Sequence, residues 1–245
     1  MKALCQTTAL AKMLTIPVLR NPFAYAFMFL FPGMFLYLYW LIGGMNLGKH
    51  VLFGSLVGST MNSGIVSLPQ KVLEYRLRKL QDMYVASPVN QVVYLFGHGL
   101  SRLLYALPGT LIFIIILVSA GYMPIRALPS TIVVLLLSWA SGCAIGFTLT
   151  TYVTNAAQMS AVANALGLLI LLIPPVLYPL ELIQPRWRWA ALMLPSSSAA
   201  QLMKIESGIS FLNGEPYVLI CWSVLGLYVV LSLLIVIKKS RWREI

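Results

Sequence analysis

Long apolar runs alternate with short polar breaks along the whole chain, and the charged residues are sparse enough to measure the runs. Charge-free intervals of 28, 21, 23, 54 and 22 residues separate Arg20 from Lys49, Lys49 from Lys71, Arg102 from Arg126, Arg126 from Glu181, and Glu215 from Lys238. A helix rises about 1.5 Å per residue and a bilayer core is about 30 Å thick, so one crossing takes about 20 residues. Four intervals hold one crossing each, and the longest holds two with a turn. The pattern predicts six transmembrane helices, roughly 23–43, 50–70, 97–120, 127–149, 157–178 and 216–237. A barrel would need strict in–out alternation. Runs such as Leu111–Val118 and Leu166–Ile173 are apolar at every position, so helices are expected.

Three segments depart from spans and tight turns. Residues 1–20 place Leu4, Leu10, Met13, Leu14 and Val18 among polar neighbours and predict a short interfacial helix, ended by Pro17 or Asn21-Pro22. Residues 71–91, KVLEYRLRKLQDMYVASPVNQ, carry Leu73, Leu77, Leu80 and Tyr84 at helical spacing with charges on the other sides. Glu74 and Arg78 are placed to pair at i, i+4. That amphipathic stretch has two readings: it floats at the headgroups, or it docks into a cytoplasmic partner. Residues 179–215 are too charged to cross and too apolar for a free loop. They predict two short helices on either side of Pro195, dipping into the outer leaflet and covered by other spans. The expected whole is a single transmembrane domain over 1–245.

Composition sharpens this picture. Of 245 residues, 60% are hydrophobic and 9% charged, and the mean hydropathy is +0.87. A soluble domain is about 25% charged, so a soluble enzyme is excluded. The net charge of +11 works as a topology signal. With six spans, 11 Lys and Arg fall on the side of the termini and 5 on the other, which puts both termini in the cytoplasm of a multi-pass cell-membrane protein. The basic residues form no groove-sized patch with base readers, so a nucleic-acid partner is not expected; anionic lipid headgroups are.

Candidate chemistry is thin. GGMNLGKH at 43–50 has a phosphate-loop spacing, but His50 stands where Ser or Thr must hold magnesium and no strand precedes it. Two histidines and three cysteines give no metal-ligand spacing and no disulfide framework. Ser63 or Ser141 with His98 would serve an intramembrane serine enzyme only if the side chains met in one cavity; both Ser-Gly pairs also suit helix packing. None of the six acids falls mid-span, which argues against ion-coupled transport. Arg102 is expected to snorkel to the inner headgroups. Gly54-xxx-Gly58, Gly142-xxx-Gly146 and Ala161-xxx-Ala165 are expected to pack within the chain. Nine aromatics between Phe23 and Trp40 read as lipid contact and interfacial belts, or as a stacking surface for substrate. Tyr25, Phe29 and Tyr178 are the candidates for a substrate path.

The order of these features resembles the permease subunit of type-2 ATP-binding-cassette exporters. Leu73 to Gln91, LEYRLRKLQDMYVASPVNQ, is similar to that family's charged helix ending in a small residue, Ser-Pro-Val and a polar residue. Pro174 to Lys204, PPVLYPLELIQPRWRWAALMLPSSSAAQLMK, is similar to its re-entrant pair. The family often has Gly-Thr in the first motif, where this chain has Lys79-Leu80-Gln81. The resemblance implies an all-α membrane protein with six transmembrane helices, an N-terminal interfacial helix, a cytoplasmic coupling helix and a re-entrant outer helical pair. It implies a second permease chain, identical or not, and two ATPase subunits that bind ATP and Mg, with no cofactor in this chain. Leu73, Glu74, Leu77, Arg78, Leu80, Gln81, Asp82 and Tyr84 would contact the ATPase. The cargo would be an amphipathic or lipid-like small molecule, or a lipid-linked glycan, moved outward.

Overall fold

The computed structural model describes residues 2–87, 89–210 and 215–239, and among them every regular element is helical. Ten α-helices follow in order: α1 Lys2–Leu19, α2 Pro22–Asn62, α3 Leu68–Leu77, α4 Leu80–Val85, α5 Gln91–Ser119, α6 Leu128–Tyr152, α7 Ala156–Leu172, α8 Pro185–Leu192, α9 Pro195–Glu206 and α10 Glu215–Lys239.

The helix α2 is two limbs folded about Gly44, whose φ of 60° and ψ of −155° are open only to glycine. In one straight helix, Leu36 and Gly48 would lie about 18 Å apart along the axis. Instead a Cβ built on Gly48 would sit 3.6 Å from Leu36 Cδ1, so the chain doubles back. Gly44→Ala is expected to cost about 1–3 kcal/mol through backbone strain alone, since open space surrounds the position. Reversible unfolding in detergent would measure it.

The second limb does not stop at the expected 70. It runs through a π-helical turn, Ser63–Ser67, directly into α3. The apolar stretch Asn46–Leu77 has 32 residues, or about 48 Å of helix, against a core of about 30 Å. Gln91–Ser119 and Ile125–Tyr152 are also long and apolar enough to cross, while Ala156–Leu172 and Pro216–Leu231 are shorter apolar helices. The chain is a multi-pass membrane protein. α7 ends at Leu172 rather than 178, because Pro174 and Pro175 cannot continue a helix.

Packing is built on glycine. A Cβ on Gly142 would lie 2.5 Å from the Met61 carbonyl oxygen, and Cβ atoms on Gly64 and Gly146 would overlap the Cys143 backbone and the Gly64 carbonyl. Gly54 meets the Val176 carbonyl in the same way, and Gly58 receives the end of the Leu171 side chain. Both GxxxG pairs therefore pack within the chain, as expected. Ala161 and Ala165 do not: α7 buries only Met159, Ala163, Gly167 and Leu171, and turns those two alanines outward.

α1 begins an independent helix up to the Asn21-Pro22 break, with Asn21 Oδ1 accepting the Phe23 amide. It is held more firmly than an interfacial helix needs to be. Leu10, Ala11, Leu14 and Thr15 are buried, with Leu10 packed on Gly97 of α5.

Candidate functional site

The end of the bundle carrying α3 and α4 gathers most of the candidate residues. α3 closes at Arg78, and Lys79 turns the chain with a left-handed φ of 57°. α4 then returns to Asn90, whose Oδ1 caps α5 at Val92 N. The expected single helix from 73 to 87 is therefore two helices at an angle, and the expected stripe is split. Leu73 is buried in the bundle, Leu80 and Tyr84 are half-buried, and Gln81 is buried where it accepts from Arg76 Nε at 3.0 Å. Arg78, Lys79, Asp82 and Met83 are exposed at the turn, together with Leu77, 58% exposed. Leu77 and Met83 stand exposed on either side of this turn, the tip, among its charges.

Ion pairs hold the approach to the tip. Glu74 accepts from Lys71 at 2.7 Å and from Arg78 at 3.0 Å, the second being the expected i, i+4 pair. Arg76, which the sequence offered no reason to single out, donates to the Thr150 carbonyl at 2.6 Å and thereby caps the last turn of α6. A crevice of about 280 Å³ opens between α3 and the start of α7, with Leu73, Leu77 and Met159 as its apolar lining and Glu74, Arg78 and Ser160 around them.

Behind the tip, aromatic rings connect α3 and α4 to α5. Tyr75 stacks on Tyr84 at 6.3 Å and meets His98 edge-on at 5.4 Å; Tyr94 lies 5.6 Å from Tyr84 and 4.4 Å from His98. Leu10 and Leu14 of α1 close this cluster. Burial raises the Tyr84 phenol above its ordinary range. Arg102 does not snorkel to the surface: it is 4% exposed and donates to Ser101 Oγ at 3.2 Å, because α1 and α3 pack over α5.

The serine-enzyme arrangement is not assembled. Ser63 Oγ donates to the Thr60 carbonyl at 2.6 Å and Ser141 Oγ to the Ser138 carbonyl at 2.8 Å, while His98 is wedged between tyrosines. Replacing either serine by alanine is expected to change stability by no more than about 1 kcal/mol and to leave activity intact; a chain-specific activity assay on both variants checks it. Residues 43–50 are helical apart from the Gly44 bend and form no phosphate cradle. Among the described residues no three His, Cys, Asp or Glu side chains gather around one point. Tyr25 and Phe29 lie in the part of α2 whose side chains are outside the described residues. Tyr178 donates its hydroxyl to the Ile173 carbonyl at 2.6 Å and so closes the turn after α7.

The far end holds the second irregular segment. α8 is mostly exposed, with Trp187 and Trp189 partly open and Trp189 stacked on Tyr217 of α10 at 4.9 Å. Every residue of α9 from Pro195 to Lys204 is buried against α2, α6 and α10. Two short helices form on either side of Pro195, but only α9 is covered by its neighbours; α8 is left largely exposed.

The family of ABC-2 family transporter proteins matches residues 19–238, nearly the whole chain. The chain belongs to the ABC-2 transporter family. No curated protein matches it. As an ABC-2 membrane subunit it is a transport component of a multi-pass membrane system and does not itself catalyse a reaction.

Proposed function

We propose that this ABC-2 chain is the permease subunit of an ATP-driven exporter, with six spans and both termini in the cytoplasm of the cell membrane. Two separate ATPase subunits bind ATP and Mg beneath it, and a second permease, identical or not, completes the pathway. The cargo is an amphipathic or lipid-like small molecule, or a lipid-linked glycan, moved outward. The observation that carries this reading is the 32-residue stretch Asn46–Leu77, about 48 Å of helix against a bilayer core of about 30 Å, followed by the turn that exposes Leu77 and Met83.

That tip is a suitable seat for a motor. Leu77 and Met83 offer apolar contacts, and Arg78, Lys79 and Asp82 offer charges that fix register. The tyrosine cluster and Arg76 couple the tip to α5 and α6, so a push on it moves packed helices as a body. The coupling contacts expected from sequence are refined accordingly: Leu77, Arg78 and Asp82 stay, Lys79 and Met83 join, and Leu73, Glu74, Leu80, Gln81 and Tyr84, buried or half-buried, become internal braces. A second permease is supported by α7, which exposes Ser160 and Asn164 on a face lined by small residues. Polar side chains are costly against lipid and suit a protein-covered or wet surface.

Co-purification tests the reading. The tagged chain is expected to bring down an ATPase, and the pair in proteoliposomes to move a fluorescent amphipath only with ATP and Mg. A chain that captures no ATPase, or a reconstituted pair that moves nothing, overturns it.

A further inference from the structure

The buried helix α9 fastens itself to the end of α7 in an unusual way. Pro174 has no amide hydrogen, so the Ile170 carbonyl loses the donor that a helix would normally supply four residues on. Ser196 of α9 provides a replacement, its Oγ donating to that carbonyl at 2.7 Å. Gln201 Nε2 donates to the Pro175 carbonyl at 3.1 Å. One helical turn further, Lys204 Nζ donates to the carbonyls of Pro175, Val176 and Tyr178 at 3.2, 2.9 and 3.1 Å. An ammonium has three protons, and here three backbone acceptors receive them. The Lys204 side chain is 0% exposed. The C-terminal end of a helix is also where its dipole favours a cation.

The Val176 carbonyl is held from two sides. Lys204 grips it, and α2 comes so close that a Cβ on Gly54 would lie 2.6 Å from the same oxygen. By contrast with the backbone-on-backbone contact of Gly64 and Gly146, the polar fastening of α9 to residues 170–178 uses α9 side chains only. Side-chain donors separate from carbonyls without unwinding either helix. Beneath α9 lies Cys221 of α10, 0% exposed, its thiol beside the Ser198 hydroxyl.

We infer that Lys204 is a latch: its ammonium holds the α8–α9 hairpin against residues 175–178 and so keeps that end of the bundle shut, and the hairpin parts from those carbonyls when the end opens. Assigning that end as the exit rests on the exporter reading above; the latch itself does not. Lys204 is a positioning residue, acting through the hairpin it holds.

Cys221 reports the latch without any ATPase or cargo. The membrane-embedded chain is treated with N-ethylmaleimide, and modification of each native cysteine is followed by peptide mass spectrometry. Lys204→Met keeps the side-chain bulk and removes all three donors. It is expected to speed modification of Cys221 by about tenfold or more through local opening, with Cys143, buried at the π-turn, labelling at the wild-type rate. Gln201→Leu, which removes one neutral donor, is expected to give a smaller rise in the same direction. The latch is overturned if Cys221 in Lys204→Met labels as in wild type. It is overturned equally if Cys143 accelerates in parallel, since Lys204 would then stabilise the whole core. Should Lys204→Met fail to accumulate in membranes, Gln201→Leu decides on the same two cysteines. Because no transport is measured, a failed latch leaves the exporter reading standing, and a failed exporter reading leaves the labelling result standing.

Discussion

Carboxylates placed on the tip, in Leu77→Asp combined with Met83→Asp, are expected to cut ATP-dependent transport by about 100-fold or more while the protein still inserts and folds. Leu77 and Met83 are 58% and 68% exposed, so the isolated chain loses little by the change. In a docked complex the same side chains would enter an apolar socket, where an unpaired carboxylate costs several kcal/mol, and each 1.4 kcal/mol is tenfold in affinity. Capture of the ATPase by the double variant and by wild type, run beside an unfolding curve for each, measures both halves. Normal capture with normal transport would remove the tip from the coupling path. A matched control is Leu73→Asp. Leu73 is buried against the bundle, so this change is expected to lower stability first and capture only as a consequence.

The largest structural effect is expected from Gly146→Val. A Cβ there would overlap the Gly64 carbonyl, and the obstacle is backbone rather than the end of a flexible side chain. The π-turn and α6 would have to separate, uncovering the small core formed by Leu68, Val72, Cys143 and Phe147. Overpacking at a backbone contact of this kind is expected to cost about 3 kcal/mol or more. Denaturant titration in mixed micelles would show a lowered midpoint, and membrane yield should fall. Gly226→Val, with open space around its Cβ position, is the control expected to behave as wild type.

How much of this was legible beforehand differs by element. The apolar runs placed the helices because span length is set by bilayer thickness, and the charge gaps read that length directly. The GxxxG pairs of α2 and α6 were legible because only glycine permits that approach. The bend at Lys79 was not legible. A lysine at positive φ carries no turn signature, so the helical spacing of Leu73, Leu77, Leu80 and Tyr84 ran straight through it. One hint was present: related permeases often carry Gly-Thr in this motif, and glycine favours this backbone. Arg76, Lys204 and Arg102 were equally hidden. Whether a basic side chain reaches water or a carbonyl depends on which helix covers it, and a single chain's composition says nothing about that. The missing amide at Pro174 could have been read, since it predicts an orphan carbonyl at Ile170, though not which residue would fill it.

The π-turn at Ser63–Ser67 has a consequence for the phase of everything beyond it. An α-helix advances about 100° of azimuth per residue, and a π-turn accommodates surplus chain without breaking the rod. Those five positions can therefore lose a residue and close as ordinary α-helix with Leu77 and Arg78 keeping nearly the same bearing. The same deletion a few residues on, in α3, would swing the tip by about 100° and shorten the rod by about 1.5 Å, presenting a different flank to whatever waits below.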